Sequence, residues 1–151
     1  MERRMNSALP PASGKPLRPA TILIVEDDQV VAVDLEGRLD RLGYQVADTV
    51  ASGEEACEKV SKMQPDLILM DVHLEGPMDG IEAAQRIRQF CEVPIIFLTA
   101  YADTATLERA KLAEPYGYLV KPFVPSDLHA AIQMALYKGT VDRALRENHE
   151  N

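Results

Sequence analysis

The chain has no tryptophan, only two cysteines and three histidines in 151 residues, and aromatic side chains make up 5% of it. Cys57 and Cys91 lack the short spacings of structural zinc sites, and no secretory context favours a disulfide between them. They read as reduced, buried thiols. His73, His129 and His149 are equally scattered, which excludes a histidine-built zinc centre. No apolar run approaches the ~20 residues that cross a bilayer, and the basic start of the chain is not followed by the apolar stretch of a secretory signal. The expectation is a cytoplasmic chain. Basic residues are also in short supply, sixteen against twenty-four acids, and the resulting formal charge of -8 repels nucleic-acid backbones and anionic membranes. Direct nucleic-acid or membrane binding is not expected.

What is present is the composition of a soluble domain with a real core, 46% hydrophobic and 26% charged. Residues 1–19 hold Pro10, Pro11, Pro16 and Pro19 among small polar residues and read as a disordered N-terminal arm. Residues 20–138 read as one domain. In residues 139–151, Val141 and Leu145 stand four apart among charges, as in a helical extension or the start of a linker.

From residue 21 onward, short apolar runs alternate with segments of helical period, the signature of a parallel sheet covered by helices on both faces. Strands are predicted at 21–25, 44–50, 66–70, 93–98 and 116–120. Helices are predicted between them. The first carries Val31, Leu35, Leu39 and Leu42 on one stripe and is ended by Gly43. The second opens at Ser52 and Glu55, a capping-box pattern that precedes Ala56, Val60 and Met63. The third opens at Asp79 and Glu82 with Ile81, Ala84, Ile87 and Cys91 inward. A short helix of less regular phase follows over 103–113, and Pro125 opens the last, with Leu128, Ile132, Ala135 and Leu136 inward. The fold class is α/β, a doubly wound five-stranded parallel sheet.

In such sheets functional groups gather at the carboxyl ends of the strands. Glu26, Asp27 and Asp28 follow the first strand, Asp71 the third, Thr99 the fourth and Lys121 the fifth. With strand order 2-1-3-4-5, the acidic cluster faces Asp71 across the switch point. Carboxylates held this close repel one another unless a cation sits among them, and Mg²⁺, with Mn²⁺ as an alternative, suits Asp27, Asp71 and a backbone carbonyl. An oxygen of Asp71 can attack an activated phosphorus if the transferring group is held in line and its charge is met. Lys121 and the Thr99 hydroxyl would meet that charge beside the metal.

The segments Ile22-Leu-Ile-Val-Glu-Asp-Asp28, Asp66-Leu-Ile-Leu-Met-Asp-Val-His-Leu74, Met78-Asp-Gly80, Ile95-Ile-Phe-Leu-Thr-Ala100 and Gly117-Tyr-Leu-Val-Lys-Pro-Phe123 together resemble the receiver family of two-component signalling. The resemblance covers about residues 20–138 and implies a flavodoxin-like fold. It implies Asp71 as phosphoacceptor, Glu26 and Asp27 as the acidic metal pair, and the His73 backbone carbonyl as a further metal ligand. It also implies that Thr99 and Lys121 contact the phosphoryl group, that Tyr118 turns inward on activation, and that the Lys121–Pro122 bond is cis. The implied partners are a sensor histidine kinase or phosphotransfer protein upstream and an output domain or protein downstream. The signal would pass through helix four, strand five and helix five, a face that also offers a homodimer surface. Such a domain is a regulator rather than an enzyme, with self-catalysed phosphotransfer and slow autodephosphorylation only.

Glu26 stands where many members have aspartate, so its longer side chain would reach the metal through water. His73 and Tyr101 hold the rate-tuning positions, and Tyr101 with Thr99 and Tyr118 would link the site to the moving face. Bulk at His73 and Tyr101 would shield an acyl phosphate from water. A phosphatase of the haloacid dehalogenase type requires a second aspartate two residues after the nucleophile, where His73 stands here. A flavin carrier requires a hydroxyl-rich phosphate loop where the acidic run stands.

Overall fold

The computed structural model describes residues 18–100 and 104–150. Most of the expected arm, together with Tyr101 and Asp103, lies outside the described residues. Five strands, β1 (Thr21–Val25), β2 (Gln45–Val50), β3 (Leu67–Asp71), β4 (Ile95–Thr99) and β5 (Gly117–Val120), form one sheet in the order β2-β1-β3-β4-β5. Every pairing is parallel. The five helices are α1 (Gln29–Arg41), α2 (Gly53–Met63), α3 (Gly80–Arg88), α4 (Thr104–Lys111) and α5 (Pro125–Glu150). The expected fold class and strand order are the observed ones.

The period-2 alternation of strand side chains divides the core in two. Leu23, Val25, Ile68, Met70 and Phe97 pack with Ala56 and Val60 of α2 and Ile81, Ala84 and Ile87 of α3. Ile22, Ile24, Leu67, Leu69, Ile96 and Leu98 pack with Leu35 and Leu39 of α1 and Leu128, Ile132 and Ala135 of α5. Both faces of β1, β3 and β4 are therefore covered, which is why those strands are nearly unbroken apolar runs.

The helix starts follow side-chain chemistry. The Asp28 carboxylate accepts from the Val30 and Val31 N–H groups at the head of α1. Asp79 and Glu82 close a full capping box on α3. Ser52 accepts from the Glu55 N–H at 3.1 Å, but Glu55 reaches back to the N–H of Ala51 rather than to that of Ser52. Gly43 ends the first helical unit at φ +94, a conformation open to glycine. Helix α4 is shorter than its expected range and buries only Ala110, which accounts for its indistinct phase in the sequence.

Helix α5 runs without a break through the expected boundary at 139 and stays against the domain. Gly139 is seated on Pro94, close enough that a Cβ would stand 2.9 Å from its ring. Tyr116 donates its hydroxyl to Asp142 at 2.7 Å, and Arg146 pairs with Glu92. Burial and that bond to Asp142 push the Tyr116 phenol up to about 12. On the opposite flank Arg18 pairs with Asp66 at 2.9 Å, so the chain is already held at the residue before Pro19.

Candidate functional site

The sheet pairing places the reactive groups by fixing where each strand stops. The Glu26 N–H donates to the Val50 carbonyl, the Val72 N–H to that of Leu98, and the Lys121 N–H to that of Thr99, each within 2.9 Å. Parallel register then sets Asp71 opposite Leu98 and Thr99 opposite Val120. Glu26, Asp71 and Thr99 are the buried polar side chains of the described residues, at 3%, 5% and 1% exposure. Polar groups are buried in this way when they have partners, and here the partners converge.

Glu26, Asp27 and Asp71 each offer a carboxylate oxygen, and the three oxygens lie within 4.8 Å of one another. Lys121 reaches among them, its Nζ 3.0 Å from Glu26 Oε1 and 3.6 Å from Asp71 Oδ2. The acids are held by backbone as well. The Asp28 N–H donates to Glu26 Oε2 at 3.3 Å, the His73 N–H to Asp71 Oδ1 at 3.1 Å, and the Glu75 N–H to Asp27 Oδ2 at 2.9 Å. Burial and the neighbouring Asp71 push the Glu26 carboxyl up to about 7, against the opposing pull of Lys121. Burial is the larger cause and the nearby Asp71 carboxylate the second, and a cation among the acids would offset both.

An all-oxygen donor set with one ordered face fits Mg²⁺, which keeps part of its shell as water or phosphate oxygen. Zinc finds no thiolate or imidazole in this cluster. A metal bound through Glu26 would therefore compete with a proton there. The folded pKa of Glu26 is pushed up to about 7, above the ordinary carboxyl value, so a metal bound through it would have to displace a proton below that pH. Mg²⁺ affinity is expected to fall by up to about tenfold per unit as pH drops below about 7, with proton release on binding. Titration calorimetry in buffers of different ionisation enthalpy measures both. A dissociation constant flat across that range would remove Glu26 from the site.

The remaining expected residues are placed as follows. Thr99 ends β4 and Lys121 follows β5, and the Lys121–Pro122 bond is cis. Tyr118 on β5 is 38% exposed, its ring centroid 6.3 Å from that of Phe97 on the neighbouring strand. Two positioning features escaped the sequence reading. Asp28, grouped there with the acids, caps α1 and supplies the N–H that holds Glu26. Its place directly before a helix was the available signal. Gly80, noted only within a motif, lies against the acceptor itself: a Cβ there would stand 2.0 Å from the Asp71 carbonyl oxygen.

Fold and site together define a regulatory α/β domain whose chemistry sits at the switch point of a flavodoxin-like sheet. The chain belongs to the response regulator receiver domain family, whose pattern it matches over residues 22–133. It is 40% identical over 118 residues to a transcriptional regulatory protein, PdtaR, of Mycobacterium tuberculosis, covering 78% of this chain and 57% of that one. It thus spans little more than half the length of that relative. Among solved structures it resembles the signal receiver domain of a modulated diguanylate cyclase from Desulfovibrio desulfuricans (40% identity, TM-score 0.78, 82% of this chain and 98% of that one). It also resembles the receiver domain of a sensor histidine kinase from Pseudomonas aeruginosa, determined with magnesium coordinated in the active-site cleft (36% identity, TM-score 0.72, 78% and 98% covered). The chain is therefore a receiver domain of two-component systems, and no helix among its described residues is long and apolar enough to cross a membrane.

Proposed function

We propose that this chain is a phosphorylation-dependent switch in which Asp71 takes a phosphoryl group from the phosphohistidine of a sensor histidine kinase or a phosphotransfer protein. The observation that carries the reading is the convergence of three carboxylates with the Lys121 ammonium, 3.0 Å from Glu26 and 3.6 Å from Asp71, beside buried Thr99. An oxygen of Asp71 forms a bond to phosphorus as the bond from phosphorus to the donor imidazole nitrogen breaks. The leaving nitrogen keeps the electron pair and takes a proton. With acetyl phosphate as donor, acetate leaves instead. Mg²⁺ held by Glu26, Asp27, Asp71 and the His73 carbonyl would offset charge on the transferring group. Lys121 meets one phosphoryl oxygen, and the Thr99 hydroxyl with nearby backbone N–H groups meets another.

The phosphorylated acceptor then biases an equilibrium between two arrangements of the α4, β5 and α5 face. Tyr118, half out of the surface on β5, turns inward toward Thr99, with Tyr101 as the third member of the link. The shifted face controls an output domain or protein, and the same face serves for homodimerisation. In this reading the receiver unit is residues 20–138, residues 139–151 are a helical extension or the start of a linker, and the protein works in the cytoplasm.

Intact-mass spectrometry after incubation with acetyl phosphate tests the chemistry. One phosphoryl group is expected, dependent on Mg²⁺ and absent from Asp71→Ala. Uptake that persists in Asp71→Ala, or no uptake by the wild type from either acetyl phosphate or a phosphorylated kinase domain, would sink the reading.

A further inference from the structure

Asp79 uses both of its carboxylate oxygens, and they serve different parts of the protein. Oδ1 accepts from the Glu82 N–H at 2.9 Å while Glu82 accepts from the Asp79 N–H at 3.3 Å, which fixes the first turn of α3. Gly80, the next residue, presses its backbone on the Asp71 carbonyl and donates its N–H to the Val72 carbonyl at 3.0 Å. The cap thus sets the wall behind the acceptor. Oδ2 of the same carboxylate lies 3.0 Å from the Arg109 guanidinium on α4. Helix α4 buries only Ala110, so a polar hold weighs more on it than on the other helices.

We propose that Asp79 is a positioning residue for Asp71, and that its ion pair with Arg109 couples the acceptor turn to α4 so that phosphorylation changes the hold on that helix. The proposal rests on the phosphoacceptor reading of Asp71. A partly exposed ion pair of this kind shifts an equilibrium by at most about fivefold. That is a suitable bias for an element whose two positions must lie close in energy, because a switch tied down strongly would not move. A second pair, Arg88 with Glu114 at 2.6 Å, joins the far end of α3 to the turn after α4 and is the natural control.

The test uses the full chain and two readouts, hydrogen exchange of α4 amides and phosphoryl uptake by intact mass, each with and without acetyl phosphate and Mg²⁺. Asp79→Asn keeps the cap, since asparagine caps as well as aspartate, but loses the charge that faces Arg109. Arg109→Gln removes the same pair from the other side, and Asp79→Ala removes cap and pair together. Arg109→Gln is expected to take up phosphoryl at the wild-type rate, and Asp79→Asn, which keeps the cap, to lose less of that rate than Asp79→Ala. Their α4 amides should exchange up to about fivefold faster before phosphorylation and respond less to it. The double variant should add nothing to either single one, and Glu114→Gln should leave the response to phosphorylation intact. Asp79→Ala should also slow uptake by about tenfold or more, because the acceptor is no longer held in line. Unchanged α4 exchange and response in both pair-breaking variants would overturn the coupling. Wild-type uptake by Asp79→Ala would overturn the positioning role. A wild type that takes up no phosphoryl would instead remove the reading of Asp71, and α4 exchange in the unphosphorylated variants would still decide the ion pair.

Discussion

Gly80→Ala is expected to destabilise the protein by about 3 kcal/mol, the upper end of overpacking effects, and to abolish phosphoryl uptake. The added Cβ would stand 2.0 Å from the Asp71 carbonyl oxygen, 2.9 Å from its carbonyl carbon and 3.0 Å from the Val72 Cα. All of these are backbone atoms at the end of β3, whose five residues are all buried. No rotamer change can relieve such a contact. Either α3 swings out, which opens the Asp79 capping box and loosens Ile81, Ala84 and Ile87, or the Asp71 peptide is pushed across the pocket. The second course moves the acceptor relative to Lys121 and Glu26, and in-line transfer tolerates little displacement. Thermal denaturation should register the change as a drop of about 6–12 °C, at ~2–4 °C per kcal/mol for a domain of this size. A melting point within the scatter of the wild type, with normal uptake, would mean that the turn yields more easily than its burial implies.

That glycine marks a limit of what the sequence makes legible. The strands β1, β3 and β4 could be read because a buried parallel strand has nowhere to place a polar side chain. The helix starts at Ser52 and Asp79 could be read because capping is local chemistry. The rim of functional groups followed from those strand ends, and it placed Glu26, Asp27, Asp71, Thr99 and Lys121 together before any distance was known. The resemblance to receivers added the roles of His73 and Tyr118 and the cis bond at Pro122, of which the bond is observed directly. Helix α4 was poorly legible because its burial reduces to Ala110, too little to impose a period. What could not be read were contacts between residues distant in sequence whose partners carry no pattern. The approach of Gly80 to Asp71, the bond from the Glu75 N–H to Asp27 and the Asp79–Arg109 pair are of this kind. Strand ends differed by a residue or two for a related reason. Residue 93 continues an apolar run, but pairing starts only where Ile95 meets Ile68.

Lys121→Met should separate the two tasks of the lysine, holding the pocket together without metal and meeting the phosphoryl charge during transfer. Methionine keeps much of the aliphatic stem and removes the ammonium. In the wild type the ammonium is 3.0 Å from Glu26 and 3.6 Å from Asp71 and is the group that pulls the Glu26 carboxyl down. Even so, that carboxyl stays raised to about 7. An acid with a raised folded pKa contributes stability that is complete below its unfolded value, about 4.5, and is lost as pH rises through about 7. Removing the ammonium raises Glu26 further, so the variant loses more than the wild type over the same rise. Without metal, at a pH above about 7, it should be less stable by about 2 kcal/mol, the contribution of a charged hydrogen bond. Lowering the pH to about 5 should close most of the gap, because protonated Glu26 no longer repels Asp71. Saturating Mg²⁺ should close it too, since the cation takes over the neutralising role. Phosphoryl uptake should remain about 100-fold or more below wild type even with Mg²⁺ present, because the metal cannot also stand where the lysine meets the phosphoryl oxygen. Denaturant melts at the two pH values, with and without Mg²⁺, check the first task, and intact-mass time courses check the second. A stability deficit indifferent to both pH and metal would show that Lys121 acts through packing rather than charge.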